Sequence, residues 1–210
     1  MNTTTTDTAA PATSGPRALV VVDVQVDFVE GGSLGVEGGH AVAEAVTRHL
    51  AEHRDAYALV VASRDWHEPH GTNGGHFAEP GTDPDFVGTW PAHCLRDEGG
   101  SDYAPGLDTT AVDVHLRKGV GEPAYSAFEA VDDDGRLLGH LLREAGVGAV
   151  DVVGIATDHC VRATVLDARA QGLDVRLLDG LHAGVAPATS EAALREMREA
   201  GAVTGPWAAA

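Results

Sequence analysis

The chain has 210 residues and a mass of 21.7 kDa, the usual size of one α/β domain and enough to bury a core without disulfides. Its 14 Lys and Arg residues against 32 Asp and Glu give a formal net charge of −18, which argues against binding to nucleic acid or to anionic membranes. Hydrophobic residues make up 43% and charged residues 22%, as in ordinary folded proteins.

No apolar run approaches the roughly 18 residues that a membrane span needs, and the N-terminus lacks the pattern of a signal peptide. We therefore expect a cytoplasmic protein. The two cysteines, Cys94 and Cys160, are too few for a disulfide framework in a chain of this length, so each is interpreted singly as a core residue or a reactive group.

The chain order predicts one domain over residues 17–210, preceded by a disordered tail over 1–16 that is rich in Thr, Ala, Ser and Pro. Short β-branched runs predict buried parallel strands at 18–22, 58–62, 111–116, 149–153 and 174–178. Apolar residues at helical spacing predict helices at 40–54, 137–145, 160–171 and 187–200. This alternation is typical of an open α/β sheet.

Residues 65–110 interrupt the alternation with a long connection that is rich in Gly, Pro, His and Trp. Loops of this length in compact domains are functional or disordered. The density of Trp and His favours function, because disordered linkers rarely carry them.

Reactive side chains follow the ends of the predicted strands, where open parallel sheets bind their ligands. Asp23 follows the first strand, Asp65 and His67 the second, and Lys118 the third. Cys160 follows the fourth strand and opens a predicted helix. The sequence thus predicts a reactive cluster at this edge of the sheet.

A thiol at a helix N-terminus, as predicted for Cys160, has a lowered pKa and suits a nucleophile, and the amides of the same turn can stabilise an oxyanion. Lys118 near the thiol would favour the thiolate, and Asp23 could take its proton. The alternatives are a buried inert cysteine, a solvated lysine and an aspartate that only caps a turn.

Asp65 and His67 stand two apart on predicted extended chain, so their side chains share a face and could share one ion. His70, His76 and His93 follow in the long connection. Carboxylate with two or three imidazoles suits Zn, Fe(II) or Mn better than Ca. The alternative for each histidine is a solvated loop residue.

Six segments contain these residues apart from His70 and His76: 23–28 (DVQVDF), 64–67 (RDWH), 90–94 (WPAHC), 118–119 (KG), 125–129 (YSAFE) and 154–161 (GIATDHCV). In this order they resemble the motifs of the nicotinamidases, which belong to the isochorismatase-like cysteine hydrolases. The likeness runs from about residue 17 to residue 203, and the block 152–164 is the most specific part.

The resemblance implies a three-layer α/β/α fold with a six-stranded parallel sheet. It also implies hydrolysis of nicotinamide to nicotinate and ammonia in NAD salvage, with pyrazinamide as an analogue substrate. The catalytic residues would be Asp23, Lys118 and Cys160, acting through a Cys160 thioester. The amides of Ala156 and Cys160 would form the oxyanion hole, beside a cis bond between Ile155 and Ala156.

The same resemblance implies that Asp65, His67, His76 and His93 bind one divalent ion, Zn, Fe or Mn, which holds the pyridine nitrogen. His70 competes with His76 as the fourth ligand. We favour His76 because a phenylalanine follows it, as in the family's His-Phe pair.

The ring of the substrate would be bound by Phe28, Trp90, Tyr125, Ala156, Gln25 and His159. Aromatic faces of this kind suit a flat heteroaromatic ring. One position departs from the family: Val26 stands where Asn or Asp is most common, and we expect altered packing beside the catalytic residues without loss of the chemistry.

Two other functions compete with a nicotinamidase. One is an isochorismatase-like amidase for a carbamoyl or ureido compound, against which the retained Asp65, His67 and His93 argue. The other is a non-catalytic domain, whose signature would be the loss of a catalytic residue. The only partner expected is the small-molecule substrate, and the sequence leaves open whether the chain is a monomer or a homodimer.

Overall fold

The protein is described by a computed structural model that covers residues 15–208. Its six strands are β1 Arg17–Val22, β2 Leu59–Asp65, β3 Val114–Lys118, β4 Ala149–Ile155, β5 Asp174–Ala183 and β6 Val203–Gly205. The α-helices are α1 Gly39–His53, α2 Leu138–Glu144, α3 Arg162–Ala170 and α4 Pro187–Glu199. Short 3-10 turns are Val26–Phe28, Arg54–Ala56, Gly99–Ser101 and Ala127–Glu129. Of the predicted tail, residues 1–14 lie outside the described residues.

The strands form one sheet in the order β3-β2-β1-β4-β5-β6, and all neighbouring pairs are parallel. The chain order reverses between β1 and β4. This is the topological switch point, where open α/β sheets bind ligands beyond the carboxyl ends of the strands.

Helices cover both faces of the sheet, because side chains of a strand alternate between its two faces. On β1, Val20 and Val22 pack with α2, α3 and α4, whereas Leu19 and Val21 pack with α1. All four side chains are buried, which explains why the strand is a continuous apolar run. The predicted three-layer α/β/α fold with six parallel strands is confirmed.

The five strands and four helices predicted from the pattern are confirmed, with some shifted ends. β5 continues to Ala183, well beyond the predicted 178, and β3 begins at Val114. β6 has three residues, too few for its own periodic signal, and only the resemblance implied a sixth strand. No helix within residues 15–208 is long and apolar enough to cross a membrane.

A buried ionic cluster around Asp151 lies inside the sheet. Asp151 on β4 is fully buried, and its carboxylate oxygens lie 2.6 Å from Arg17 Nη1 of β1 and 2.6 Å from Arg176 Nη2 of β5. The Tyr57 hydroxyl donates a hydrogen bond of 2.9 Å to Asp151 Oδ2. One carboxylate therefore compensates two guanidinium groups and links three strands.

We predict that Asp151→Ala lowers the free energy of unfolding by about 3–5 kcal/mol, because it leaves two largely buried guanidinium groups without their counter-charge. Urea denaturation measures this. The control is Asp133→Ala, since Asp133 pairs with Arg117 at 2.8 Å but its side chain is 82% exposed, and such pairs are worth about 0–1 kcal/mol. Equal losses in the two variants would contradict the prediction.

Candidate active site

Four predicted site residues meet at the carboxyl edge of the sheet. Asp23 directly follows β1, and Asp65 and Lys118 end β2 and β3, where they are partners in the strand register. Cys160 lies in the turn after β4. Asp23 has φ +47°, an uncommon backbone conformation for a residue other than glycine, and such conformations concentrate at functional sites.

The ammonium group of Lys118 is fully buried among acidic groups. Its Nζ lies 2.9 Å from Asp23 Oδ2 and 3.6 Å from Cys160 Sγ, and it also contacts Asp65 Oδ1. Burial lowers the pKa of Lys118, but attraction to Asp23 and Asp65 outweighs burial and raises it well above its usual value. The lysine is therefore a fixed positive charge.

The two carboxylates beside Lys118 differ in their environments. Burial raises the pKa of Asp23, and Lys118 offsets only part of this effect. Burial acts in the same direction on Asp65, but Lys118 and the neighbouring histidines hold its pKa well below the usual value. The Ser63 hydroxyl donates to Asp23 Oδ1 at 2.7 Å, which leaves Oδ2 toward the lysine.

Cys160 lies in one π-helical turn, Thr157–Val161, which follows a cis peptide bond between Ile155 and Ala156. Single π turns are frequent at functional sites. The expected lowering of the thiol pKa is wrong for this structure. Burial, assisted by the two carboxylates, raises the pKa of Cys160 well above its usual value, although Lys118 acts in the opposite direction.

Cys94 has the environment of a core residue. It is fully buried, and burial raises the pKa of its thiol well above the usual value. Its backbone amide donates to Asp27 Oδ2 at 2.6 Å, and its carbonyl accepts from the amide of His67. Cys94 therefore helps to hold the long connection in place through the hydrogen bonds of its backbone.

The long connection between β2 and β3 brings three histidines together. His67 forms an isolated bridge with Leu95, and the amide of Trp90 donates to the carbonyl of His76 at 2.9 Å. The ring nitrogens of His67, His76 and His93 lie within 4.8 Å of one another. His70 is exposed and lies outside this cluster.

The carboxylate of Asp65 extends this cluster. Its Oδ2 lies 3.7 Å from His67 Nε2 and 3.7 Å from His93 Nε2. The four predicted metal ligands thus meet in one place, and of the two candidates for the fourth position the structure brings His76 into the group.

The hydrogen bonds of the histidine rings fit a metal ion. Nδ1 of His67 lies 2.7 Å from the Gly119 carbonyl, and Nδ1 of His93 lies 2.8 Å from the Pro91 carbonyl. Because carbonyls only accept, both Nδ1 atoms carry a proton, and in the neutral ring the lone pair then lies on Nε2. His67 Nε2 is buried without a hydrogen-bond partner among residues 15–208. Burial lowers the pKa of His76 to about 3, so its ring is neutral.

Three imidazoles with one carboxylate are a donor set that suits Zn, Fe(II) or Mn. Gly119 is necessary beside this set, because a Cβ there would lie 2.4 Å from Cε1 of His67 and its φ is +75°. The residues present therefore fit the predicted divalent ion.

A cavity of about 650 Å³ opens above Cys160. Its lining includes Asp65, His76 and His93 from the donor set. It also includes five of the six residues predicted to bind the ring, Phe28, Trp90, Tyr125, Ala156 and His159. Trp90 Nε1 donates to the Tyr125 hydroxyl at 2.9 Å, and the ring of His159 meets the face of Trp90 edge-on at 5.1 Å. These contacts fix the aromatic walls.

Gln25 does not line the cavity, so the predicted contact between Gln25 and the ring is corrected. It is fully buried, and its amide donates to the carbonyls of Asp65 and Ser101 at 2.9 and 3.1 Å. Its Oε1 accepts from the Asp65 amide at 2.8 Å. Both backbone groups of Asp65 are thus held by Gln25, which positions the carboxylate. The neighbouring Val26 is half-buried, and the effect expected of it stays a prediction.

Sequence reasoning missed Asp158, which lies two residues before Cys160. Its Oδ1 accepts from the Val185 amide at 2.9 Å, and its Oδ2 accepts from the Ala186 amide at 3.3 Å and from the Thr189 hydroxyl. Since α4 begins at the next residue, Asp158 holds the segment that leads into this helix from a distant part of the chain. Only the tertiary contact reveals this, because Asp158 and its partners lie in separate segments of the chain.

We predict that Asp158→Asn lowers the free energy of unfolding by about 1–3 kcal/mol, because an amide has one acceptor oxygen for three donors. Chemical denaturation measures the change. Asp108→Asn is the control, since Asp108 accepts the Thr110 amide at 2.9 Å in an exposed turn away from the cavity, and the oxygen of Asn can keep that bond. A loss at Asp158 no larger than that at Asp108 would refute the stabilising role assigned to Asp158.

Comparisons with known proteins identify the family of this chain. The family model described as "Isochorismatase domain" matches residues 17–209. A nicotinamidase/pyrazinamidase of Mycobacterium tuberculosis is 52% identical over 185 residues, which cover 88% of this chain and 95% of the relative.

Two solved structures are similar as well. The pyrazinamidase of Pyrococcus horikoshii in complex with zinc has a TM-score of 0.77 and 36% identity, over 91% of this chain and 99% of that one. The PnC1 protein of L. infantum in complex with nicotinate has a TM-score of 0.75 and 36% identity, over 90% and 91%. The resemblance in the motifs is confirmed, and this chain belongs to the isochorismatase family, where it is similar to nicotinamidases and pyrazinamidases.

Proposed function

We propose that this chain is a metal-dependent nicotinamidase that hydrolyses nicotinamide to nicotinate and ammonia and also accepts pyrazinamide. The observation that carries the proposal is one cavity whose inner end contains both the thiol of Cys160 and a histidine-carboxylate donor set. The M. tuberculosis relative is a nicotinamidase/pyrazinamidase, and PnC1 of L. infantum is in complex with nicotinate. The substrate is therefore a small pyridine or pyrazine carboxamide.

The walls of the cavity suit a flat ring. Phe28, Trp90 and Tyr125 present aromatic groups, and the hydrogen bond from Trp90 to Tyr125 fixes two of them relative to each other. Aromatic rings held in this way exclude water and stack against a heteroaromatic ring. They orient the carboxamide toward Cys160.

The first half of the reaction forms a thioester. Asp23 and Cys160 have their carboxylate and thiol within 4.8 Å of each other, so Asp23 takes the thiol proton as the sulfur attacks the carbonyl carbon. The carbonyl electrons move to oxygen, and the amides of Ala156 and Cys160 donate to this oxyanion. When the carbonyl reforms, the C–N bond breaks, Asp23 returns the proton to nitrogen, and ammonia leaves.

The second half releases the acid. Water attacks the thioester carbonyl while Asp23 accepts one of its protons, the C–S bond breaks, and the thiol is restored with that proton. Lys118 keeps its charge throughout, because it neutralises Asp23 and Asp65 and stabilises negative charge on the sulfur 3.6 Å away. Its role is electrostatic.

Asp65, His67, His76 and His93 are the residues that would hold the divalent ion. When bound, the ion supplies a Lewis acid for the lone pair of the pyridine nitrogen. The relative from P. horikoshii is in complex with zinc, and the donor set here suits Zn, Fe(II) or Mn. This set also favours nicotinamide over a carbamoyl or ureido compound, which offers no ring nitrogen to the ion.

The decisive test is ammonia release from nicotinamide by the purified protein, before and after chelation and after restoring Zn, Mn or Fe(II). We expect activity that is lost with the ion and returns with it. Activity that survives complete removal of metal would reject the metal dependence. Inactivity toward nicotinamide with every ion, together with hydrolysis of a carbamoyl or ureido amide, would replace the proposed substrate.

We predict that Cys160→Ala lowers kcat for nicotinamide by at least about 1,000-fold, because the thioester cannot form. Metal content and the free energy of unfolding should change little. Cys94→Ala is the matched control, since this buried thiol does not line the cavity, and it should retain kcat within about twofold. Substantial turnover by the first variant would show that catalysis does not depend on a covalent bond to Cys160.

We predict that His76→Ala weakens the affinity for zinc by about 10-fold or more. After equilibration with limiting Zn, elemental analysis should therefore find less metal bound per chain. His70→Ala is the control, because His70 is an exposed histidine of the same connection. It should bind metal like the wild type. Undiminished metal binding by the His76 variant would remove His76 from the ligand set.

A further inference from the structure

The mouth of the catalytic cavity is lined by large apolar side chains that stand in solvent. Among residues 15–208, six large apolar side chains are exposed, and three of them, Phe86, Val87 and Val185, line this cavity. Their exposures are 57%, 82% and 56%. Exposed apolar groups that are gathered at one place, and not scattered, mark a binding surface.

The loop that carries Phe86 is built to hold it there. Asp85 Oδ1 accepts the backbone N–H groups of Val87, Gly88 and Thr89 at 2.9, 2.9 and 2.8 Å. Phe86 has φ +56°, a conformation that is unfavourable for a bulky residue. Its ring meets the Trp90 ring edge-on at 6.2 Å. The chain thus holds an aromatic side chain at the mouth in a costly conformation.

The cavity is larger than nicotinamide requires. Pockets of roughly 300–1,000 Å³ enclose drug-sized ligands, and this one measures about 650 Å³, whereas nicotinamide is one ring with one carboxamide. Cys160, His76 and His93 at the reacting end are 7%, 2% and 3% exposed, so the chemistry lies at the buried end. The apolar outer part lies beyond a ring bound there.

The charges of the cavity lining indicate which chemical groups can bind in the outer part of the cavity. The lining has no Lys or Arg, and its acidic residues are Asp65 and Asp158. A phosphate or other anion would find no counter-charge there and two carboxylates nearby. An uncharged apolar group would instead bury its surface against Phe86, Val87 and Val185.

We propose that Phe86, Val87 and Val185 form an outer subsite that accepts an apolar substituent on the ring of a pyridine carboxamide. The substrate class of the enzyme then extends to alkyl- and aryl-substituted nicotinamides. This inference rests on the proposed function, because the carboxamide must be bound at Cys160 for its substituent to reach the mouth.

The test compares kcat/KM for nicotinamide with that for its methyl, propyl and phenyl derivatives, substituted at ring carbon 5 in one series and at carbon 6 in the other. Each buried CH₂ group is worth about fourfold in binding. We expect kcat/KM to be maintained or to rise with the size of the substituent in at least one series.

Phe86→Ala and Val185→Ala identify the residues responsible. Alanine keeps the Cβ of Phe86, so the backbone of the loop is equally strained, and only the apolar surface is lost. We expect each variant to lower kcat/KM at least fivefold for the propyl or phenyl compound and less than twofold for nicotinamide. Val203→Ala is the matched control, because Val203 is 59% exposed but lies on β6 and does not line the cavity.

Three results would overturn the inference. A decrease of kcat/KM with substituent size in both series would show that the outer part does not bind such groups. An equal loss for nicotinamide and for the larger substrates would show that Phe86 and Val185 close over every substrate. A homodimer that dissociates in both variants, measured by sedimentation, would assign the apolar surface to a second copy of the chain.

The same assay separates the two proposals. If the wild type hydrolyses nicotinamide but rejects every substituted compound, the proposed function stands and the outer subsite is wrong. If it hydrolyses none of these compounds with any metal, both are wrong.

Discussion

The buried ammonium of Lys118 is the charge on which the rest of the site depends. Three strands end at acidic or basic side chains, and none of the three charges is tolerable alone at this depth. Lys118 lies against Asp23 and Asp65 and 3.6 Å from the Cys160 sulfur, so the net charge of the group stays low. The ends of β1, β2 and β3 are thereby fixed relative to one another.

Asp65 joins the covalent chemistry to the metal chemistry. One of its oxygens contacts Lys118, and the other faces Nε2 of both His67 and His93 at 3.7 Å. Gln25 holds the backbone amide and carbonyl of the same residue. A displacement of Asp65 would therefore disturb the nucleophile and the ion-binding histidines together, and the sheet and Gln25 both oppose it. The catalytic residues and the proposed ion-binding residues are in this sense one rigid unit.

Segments outside the sheet surround this unit and line the cavity. The nucleophile turn is attached to the wall that contains Val185 and Thr189 through Asp158, and the Phe86 loop is held by Asp85. Loops carried by a rigid scaffold are where binding properties change most readily. The reacting groups thus lie at the strand ends, whereas hydrogen bonds of two aspartates outside the catalytic group hold segments that line the outer cavity.

The sequence by itself determined five of the six strands and the four α-helices, because buried parallel strands and amphipathic helices leave local patterns. It also placed Asp23, Asp65, Lys118 and Cys160 at strand ends, where topology brings them together. The sequence favoured His76 over His70 only through the family resemblance, and the tertiary structure brings His76, but not His70, beside His67 and His93.

The structure likewise moved Gln25 from the ring to the Asp65 backbone, and it showed that burial outweighs the helix terminus at the Cys160 thiol. Ser63 and Asp158 acquired roles only through partners far away in the chain. Local patterns record which face of an element is buried. Burial depth, and the pairing of polar atoms between distant segments, are properties of the packed chain alone.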